Sequence, residues 1–154
     1  MQQEPYRSTI DVHVILEREG EILLLERQGT GYCDGMFQPP SGHLEDGETV
    51  IQGAAREARE EVGVHIDPAD LRLATVVHYR QRPELTRIGF FFATDRWVGE
   101  PYNAEPDECA KILWTDPAVL PSNTIDYPAA GVRAYLAGIP LTTYGWDEPA
   151  SECR

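Results

Sequence analysis

The chain has 154 residues, with ordinary hydrophobic and charged fractions of 42% and 25%, which suits one globular domain with a real core and is too short for two. The net charge of −13 argues against sequence-independent nucleic-acid binding, because such binding depends on Lys and Arg neutralising phosphates. No apolar run is long enough for a membrane span and no signal peptide is recognisable, so we expect a cytoplasmic protein that binds neither nucleic acid nor membrane.

The first part of the chain predicts a β-hairpin followed by a loop. Residues 9–17 alternate with strand periodicity, a turn follows, and residues 22–26 read as a second strand. His13 is interpreted as a half-buried strand residue rather than a metal ligand, because no second His or Cys shares its face. Residues 28–36 are rich in glycine and small polar residues, which predicts a loop.

The stretch from residue 42 to residue 64, GHLEDGETVIQGAAREAREEVGV, predicts a capped amphipathic helix. Thr49 followed by Gln52 is a capping-box pattern, and Gly63 suits the left-handed residue that ends a helix. At about 100° per residue, apolar side chains form a core-facing stripe, three glutamates form a neighbouring arc, and two arginines lie on the opposite flank. The stripe is Ile51, Ala54, Ala55, Ala58 and Val62, the arc is Glu57, Glu60 and Glu61, and the arginines are Arg56 and Arg59.

The glutamate arc is a candidate cation site. Glu57 and Glu61 are four residues apart, where like charges destabilise a helix by about 0.2–0.5 kcal/mol. A divalent cation would turn this repulsion into affinity, because hard cations such as Mg²⁺ bind carboxylate oxygens. Gly42, in the loop before the helix, lets backbone come close to such a cation. The alternative is a solvated acidic helix face, which is the commoner meaning of three glutamates taken alone.

The second half of the chain predicts a further strand pair, at residues 71–82 and 86–97. The run of phenylalanines in the second of these strands indicates burial on both faces. A short strand at residues 111–114 and a helix at residues 127–137 follow, and the tail from about residue 139 is expected to be irregular.

The cysteines are three in number and widely spaced, with no CxxC or Cys/His metal spacing. We expect Cys33, Cys109 and Cys153 to be reduced thiols, as is usual in the cytoplasm. No reactive role is expected for any of them.

The stretch from residue 42 to residue 64 resembles the Nudix box of the Nudix hydrolase family at every fixed position. These positions are Gly42, Glu48, Arg56, Glu57, Glu60, Glu61 and Gly63. The order of predicted elements is similar to the Nudix fold over nearly the whole chain, and within the family the chain is most similar to the MutT-type branch. The resemblance implies one domain, residues 1–154, built as an α/β/α sandwich around a mixed β-sheet. One departure is Ser41, which stands where the family usually has glycine.

The resemblance also implies a set of site residues around Mg²⁺ or Mn²⁺. The implied metal ligands are Glu57, Glu60, Glu61, Glu105 and the Ser41 carbonyl. Glu57 is the implied base at the attacking water, with Glu105 as the alternative base. Glu48 and Arg56 are expected to form an ion pair between loop and helix. Arg27 is expected to face phosphates, and Asn123 to read a purine, although a cap or turn role for Asn123 is an equal alternative.

The family's reaction opens the phosphoanhydride of a nucleoside diphosphate linked to a group X. The sequence signals of ADP-ribose and NADH substrates are absent, so we expect a small nucleotide, most simply a nucleoside triphosphate cut to the monophosphate and pyrophosphate. An oxidised purine is one form of that substrate. A nucleotide sugar, a dinucleoside polyphosphate and a non-catalytic nucleotide-binding domain are the alternatives. Many relatives form dimers, so a homodimer stays open.

Overall fold

The computed structural model describes residues 2–147 and Cys153, and its helices and strands follow the predicted order. The elements are β1 Thr9–Arg18, β2 Glu21–Arg27, β3 Phe37–Gln38, β4 Ser41–His43, α1 Val50–Val62, β5 Arg72–Arg82, β6 Leu85–Thr94, β7 Cys109–Thr115, α2 Asp126–Leu136 and β8 Leu141–Tyr144. A short 3₁₀ helix, Pro68–Asp70, precedes β5. No described helix has the length and apolar character needed to cross a membrane.

The strands form one mixed sheet with the order β3-β2-β1-β6-β5-β8, to which β4 is added beside β1 and β7 beside β2. The predicted hairpin β1–β2 and the predicted pair β5–β6 are both antiparallel. Two pairings, β1 with β6 and β5 with β8, are parallel. Helix α1 covers one face of this sheet and α2 covers the other, which confirms the expected α/β/α sandwich.

The central strands are buried on both faces, as the phenylalanine run in β6 predicts. Phe92 packs into the core under α1, whereas its neighbour Phe91 packs into the core under α2. Helix α2 comes very close to the sheet, because a Cβ on Gly131 would lie 2.2 Å from the Phe91 ring. The sandwich is therefore held by two apolar layers that alternate along each central strand.

The helix α1 begins and ends where its caps predict. Thr49 Oγ1 accepts a hydrogen bond from the Gln52 N–H at 3.1 Å, and the Thr49 N–H donates to Gln52 Oε1 at 2.9 Å. Gly63 adopts a left-handed φ of 71° and its N–H donates to the Arg59 carbonyl. The predicted stripe is wrong at Ile51, which is 37% exposed, because the buried face of α1 is turned toward the side that carries Glu57.

The expectation of an irregular tail from about residue 139 is wrong for the segment that forms β8. Val76 to Tyr79 of β5 pair in parallel with Leu141 to Tyr144. The strand is four residues long and its partner lies far back in the chain, so no local pattern marks it. Residues 145–147 of the predicted tail belong to no helix or strand, and residues 148–152 and 154 lie outside the described residues.

The expectation of three reduced cysteines is also wrong. Cys33 and Cys153 form a disulfide, with Cα atoms 5.0 Å apart and a sequence separation of 120 residues. Only the folded chain brings Cys33, in the loop after β2, next to Cys153, so spacing along the sequence cannot reveal the pair. Cys109 is a buried free thiol, as expected.

Candidate functional site

The Glu57 carboxylate packs directly against the loop that precedes α1. Strand β4 pairs with β1, which fixes Gly42 beside the helix. A Cβ on Gly42 would lie 2.1 Å from Glu57 Oε1 and 2.4 Å from its Cδ. Only glycine leaves room for the carboxylate at this distance, so Gly42 serves a close approach of Glu57 to backbone.

Arg56 is the centre of an ion-pair network that joins loop and helix. Its Nε donates to Glu48 Oε2 at 2.9 Å and its Nη2 donates to Glu48 Oε1 at 2.7 Å, which is the predicted pair in bidentate form. Its Nη1 also donates to Glu57 Oε1 at 2.8 Å and to Glu60 Oε2 at 3.1 Å. Arg56, placed on the opposite flank by its helical position, therefore reaches the glutamate arc, because its long side chain crosses from that flank.

Glu61 faces a small acidic cavity of about 60 Å³. Its Oε2 accepts a hydrogen bond from the Ser41 N–H at 2.9 Å. Glu105 lines the same cavity, as do Glu26 and Glu108. The structure thus brings Glu61 and Glu105 together, although they lie on different elements of the fold.

Burial and mutual repulsion raise the pKa values of these carboxyl groups. Burial raises the pKa of Glu57 to about 7, against the opposing effect of Arg56. Burial and the neighbouring Glu57 raise the pKa of Glu61 well above its usual range. Burial, Glu108 and Glu60 raise the pKa of Glu105. A cluster of this kind favours either bound protons or a bound cation.

The donor chemistry of the cluster suits a hard divalent cation. Glu57 Oε2 and Glu61 Oε1 accept no hydrogen bond from another described residue, so each carboxylate keeps an oxygen for a ligand. The arrangement is not a finished cage, since no three acidic, His or Cys side chains of residues 2–147 and Cys153 converge closely enough to hold a metal ion. Glu57 and Glu60 would have to turn from Arg56 to join Glu61 and Glu105 around one.

Arg27 stands on the border between the acidic cavity and a larger one. Its Nε donates to the Tyr32 carbonyl at 2.8 Å and its Nη2 donates to Thr30 Oγ1 at 3.0 Å, so it also holds the loop after β2. Among the described residues it forms no salt bridge, although its charge lowers the pKa of Asp34 and opposes the rise in the pKa of Glu61.

The larger cavity has a volume of about 310 Å³ and lies on the α2 side of the sheet. It shares Arg27 and Gln38 with the acidic cavity. Five polar residues of its lining were not predicted as site residues from the sequence. They are Asp11, His43, Gln81, Arg87 and Tyr127. One sequence signal for it was available, because Asp11 and His13 are polar residues between apolar neighbours on a strand that is buried on both faces.

Asn123 occupies a turn before α2 rather than the wall of either described cavity. Its Nδ2 donates to the Gly35 carbonyl at 2.9 Å, and its own carbonyl accepts from the Phe37 N–H at 2.9 Å. These contacts give it the turn role that was the alternative interpretation. Its contact with a purine stays a prediction, as does the contact of the Ser41 carbonyl with a cation.

Comparison with known proteins adds three kinds of likeness. A family model described as the NUDIX domain matches residues 5–135. The chain is 32% identical over 96 residues to the 8-oxo-dGTP diphosphatase of Escherichia coli (strain K12), covering 62% of this chain and 72% of that protein. It is 26% identical over 148 residues to Phosphatase NudJ of the same organism, covering 91% of this chain and 92% of that one.

Solved structures show the same fold. The crystal structure of a MutT NUDIX hydrolase from Burkholderia pseudomallei matches with a TM-score of 0.75 at 22% sequence identity. The match covers 83% of this chain and 98% of that one. At this level of identity the likeness concerns the arrangement of helices and strands.

Proposed function

The chain belongs to the Nudix hydrolase family and is MutT-like, and from that premise we propose that it is a metal-dependent pyrophosphohydrolase of a small nucleotide. The substrate we propose is a nucleoside triphosphate, cut to the monophosphate and pyrophosphate. The observation that carries the proposal is the packing of the Glu57 carboxylate against Gly42, next to Glu61. A buried cluster of repelling carboxylates is costly for the fold and is useful when a cation and phosphates fill it.

We assign the cation, Mg²⁺ or Mn²⁺, to Glu57, Glu60, Glu61 and Glu105, with the Ser41 carbonyl as a further donor. When bound, such a cation polarises a phosphoryl oxygen and offsets the negative charge of the phosphates. Arg56 bonds Glu57 and Glu60 in this structure, and its separate bonds to Glu48 would remain when those two carboxylates turn. The loop and the helix therefore keep their relative position while the carboxylates move.

The chain's own groups then have separate tasks in hydrolysis. Glu57 accepts the proton of the attacking water, with Glu105 as the alternative base. Arg27 donates to the phosphate chain from the border of the two cavities. The larger cavity receives the nucleoside, because its volume of about 310 Å³ suits a group of that size and it adjoins the acidic cavity at Arg27. A nucleotide sugar or a dinucleoside polyphosphate would place a different group X at the same border.

A second candidate is a non-catalytic nucleotide-binding domain, favoured by the contacts of Arg56 with Glu57 and Glu60. The deciding experiment is a screen of nucleoside triphosphates and nucleoside diphosphate derivatives with Mg²⁺ and Mn²⁺, followed by product identification. Tight binding of a nucleotide with no turnover selects this second candidate.

Variants test the assignment of the carboxylates. Glu57→Gln and Glu61→Gln should each lower kcat by about a hundredfold or more, because each removes a ligand charge that acts on the transition state. The matched control is Glu84→Gln, which changes an exposed glutamate that contacts only Arg82 among the described ion pairs. Parent-like rates in both test variants would show that the carboxylate cluster is not the catalytic centre.

A further inference from the structure

We propose that Gln28 and Asn103 are positioning residues for Glu105, and that they hold this residue at the acidic cavity that it shares with Glu61. The inference rests on the proposed function in one respect, since Glu105 is taken to bind the cation there. Glu105 belongs to no helix or strand and lies in the loop between β6 and β7. A ligand on a loop needs support from neighbouring groups, because the groups of a site must be held to within about 0.5 Å.

The backbone of Glu105 begins a tight turn that leads into β7. Its carbonyl accepts hydrogen bonds from the Glu108 N–H at 2.9 Å and from the Cys109 N–H at 2.8 Å. Cys109 is the first residue of β7 and pairs with Arg27, the last residue of β2. The position of Glu105 is therefore set by the point where β2 and β7 meet.

Gln28 joins this turn to the end of β2 by three hydrogen bonds. Its backbone N–H donates to the Glu108 carbonyl at 2.9 Å. Its side-chain Nε2 donates to the Pro106 carbonyl at 2.6 Å and to the Cys109 carbonyl at 3.3 Å. The main chain and the side chain of Gln28 thus both hold the turn that begins at Glu105.

Asn103 holds the same turn from the side that precedes Glu105. Its Oδ1 accepts a hydrogen bond from the Glu105 N–H at 3.2 Å, and its Nδ2 donates to the Cys109 carbonyl at 2.7 Å. A side-chain amide carries both a donor and an acceptor, so this one residue bonds both ends of the turn. The Cys109 carbonyl receives the amides of Asn103 and Gln28 together.

The chemistry of the two amides suits a support for a metal ligand. Glu61, Glu105 and Glu108 line the same cavity, and their mutual repulsion would push a loose loop away from it. The hydrogen bonds of Gln28 and Asn103 go to backbone groups of the turn, so they resist that displacement. Neither amide adds a positive charge that would compete with a cation for the carboxylates.

The test is a double-variant cycle on the affinity of the full-length protein for Mn²⁺, measured from the EPR signal of the free ion. Gln28→Ala and Asn103→Ala should each weaken Mn²⁺ binding about tenfold, as is usual when a group that orients a metal ligand is removed. In a Glu105→Ala background the same substitutions should change the affinity by less than about twofold, because the ligand that they position is gone.

Gln52→Ala is the matched control. Gln52 is another exposed glutamine whose side chain bonds backbone, since its Oε1 accepts from the Thr49 N–H at 2.9 Å. This variant also loses a side-chain hydrogen bond to the main chain, yet it should keep the parent's affinity for Mn²⁺. Urea unfolding of each variant shows that the folded protein is being titrated.

An equal loss of affinity with and without the Glu105 side chain overturns the proposal, because the two amides would then only stabilise the fold. Parent-like affinity in any of the three single variants, Gln28→Ala, Asn103→Ala or Glu105→Ala, also overturns it, as does a parent that binds no Mn²⁺. The expected cycle in a protein that hydrolyses no nucleotide would instead contradict the proposed function alone.

Discussion

Replacing Gly42 by alanine tests whether catalysis depends on the close approach of Glu57 to the loop. The backbone of Gly42 has no positive φ, so alanine fits its conformation. The added Cβ would lie 2.1 Å from Glu57 Oε1, whereas ordinary contact begins at 3.4 Å. The carboxylate would therefore have to retreat by about 1.3 Å, and it cannot do so without leaving Arg56 or pressing on the loop.

The expected loss of rate exceeds the expected loss of stability. A misplacement of about 1 Å in a catalytic arrangement costs roughly a hundredfold in rate, which corresponds to about 2.7 kcal/mol of barrier. Overpacking costs about 1–3 kcal/mol of folding stability, and replacing glycine by alanine returns about 0.4–1 kcal/mol by restricting the unfolded chain. The variant should therefore remain folded while kcat falls about a hundredfold.

The assay is steady-state kinetics with the best nucleotide substrate at saturating Mg²⁺, together with urea unfolding. The control is Gly53→Ala in α1, where a Cβ would meet only the side-chain atoms Leu44 Cδ1 at 2.9 Å and Glu48 Oε1 at 3.0 Å. The Leu44 end can move, and Glu48 need shift by only a few tenths of an ångström while its Oε2 stays bonded to Arg56 Nε. Alanine also favours the helix, so the control should keep a rate near the parent's. A Gly42→Ala enzyme with kcat within about twofold of the parent would refute the reasoning.

Two further predictions concern stability. Burial and Arg87 lower the pKa of His13 from 6.5 to about 3. Between these two pH values the unfolded chain binds a proton that the folded chain does not, so the free energy of unfolding falls as the pH falls. Measured by urea unfolding, the free energy of unfolding should fall between pH 8 and pH 5 by about 2 kcal/mol more in the parent than in His13→Phe. An equal fall in both proteins would mean that the buried ring is not neutral. Cys33→Ala should lower the free energy of unfolding by about 2–4 kcal/mol, and a dithiol reductant should have the same effect on the parent but none on the variant. A parent insensitive to the reductant would contradict the cross-link.

The predictable parts of the fold are those fixed by neighbours in sequence. The caps of α1 act between Thr49 and Gln52 and within the turn that ends at Gly63, so their residue types are enough to place the helix. Strand alternation likewise revealed both hairpins. Strand β8 and the Cys33–Cys153 disulfide depend on partners brought close only by the complete sheet, and each was missed for that reason.

The site also contains residues that are neighbours in sequence and residues that only the fold brings together. The glutamates of α1 share one helix, so their spacing predicts one acidic surface, and only the reach of Arg56 onto that surface was missed. The cluster in the larger cavity joins Asp11 to Arg87 across 76 residues and to Tyr127 across 116. A polar residue on a strand buried on both faces is the one local sign of such a cluster, since a buried carboxylate requires partners from elsewhere.

The two cavities also bear on how a nucleotide is oriented. Phosphates are repelled by the carboxylates Glu61 and Glu105 and attracted by Arg27 at the border with the larger cavity. Charge alone would therefore draw the phosphate chain toward the arginines and away from the proposed base. In the proposed function, a cation held by the carboxylates would reverse the sign of the acidic cavity, so the phosphates would cross the border and the nucleoside would stay in the larger cavity. Cation binding would thus control substrate orientation as well as charge, because the arginines and the carboxylates compete for the same phosphates until a cation is bound.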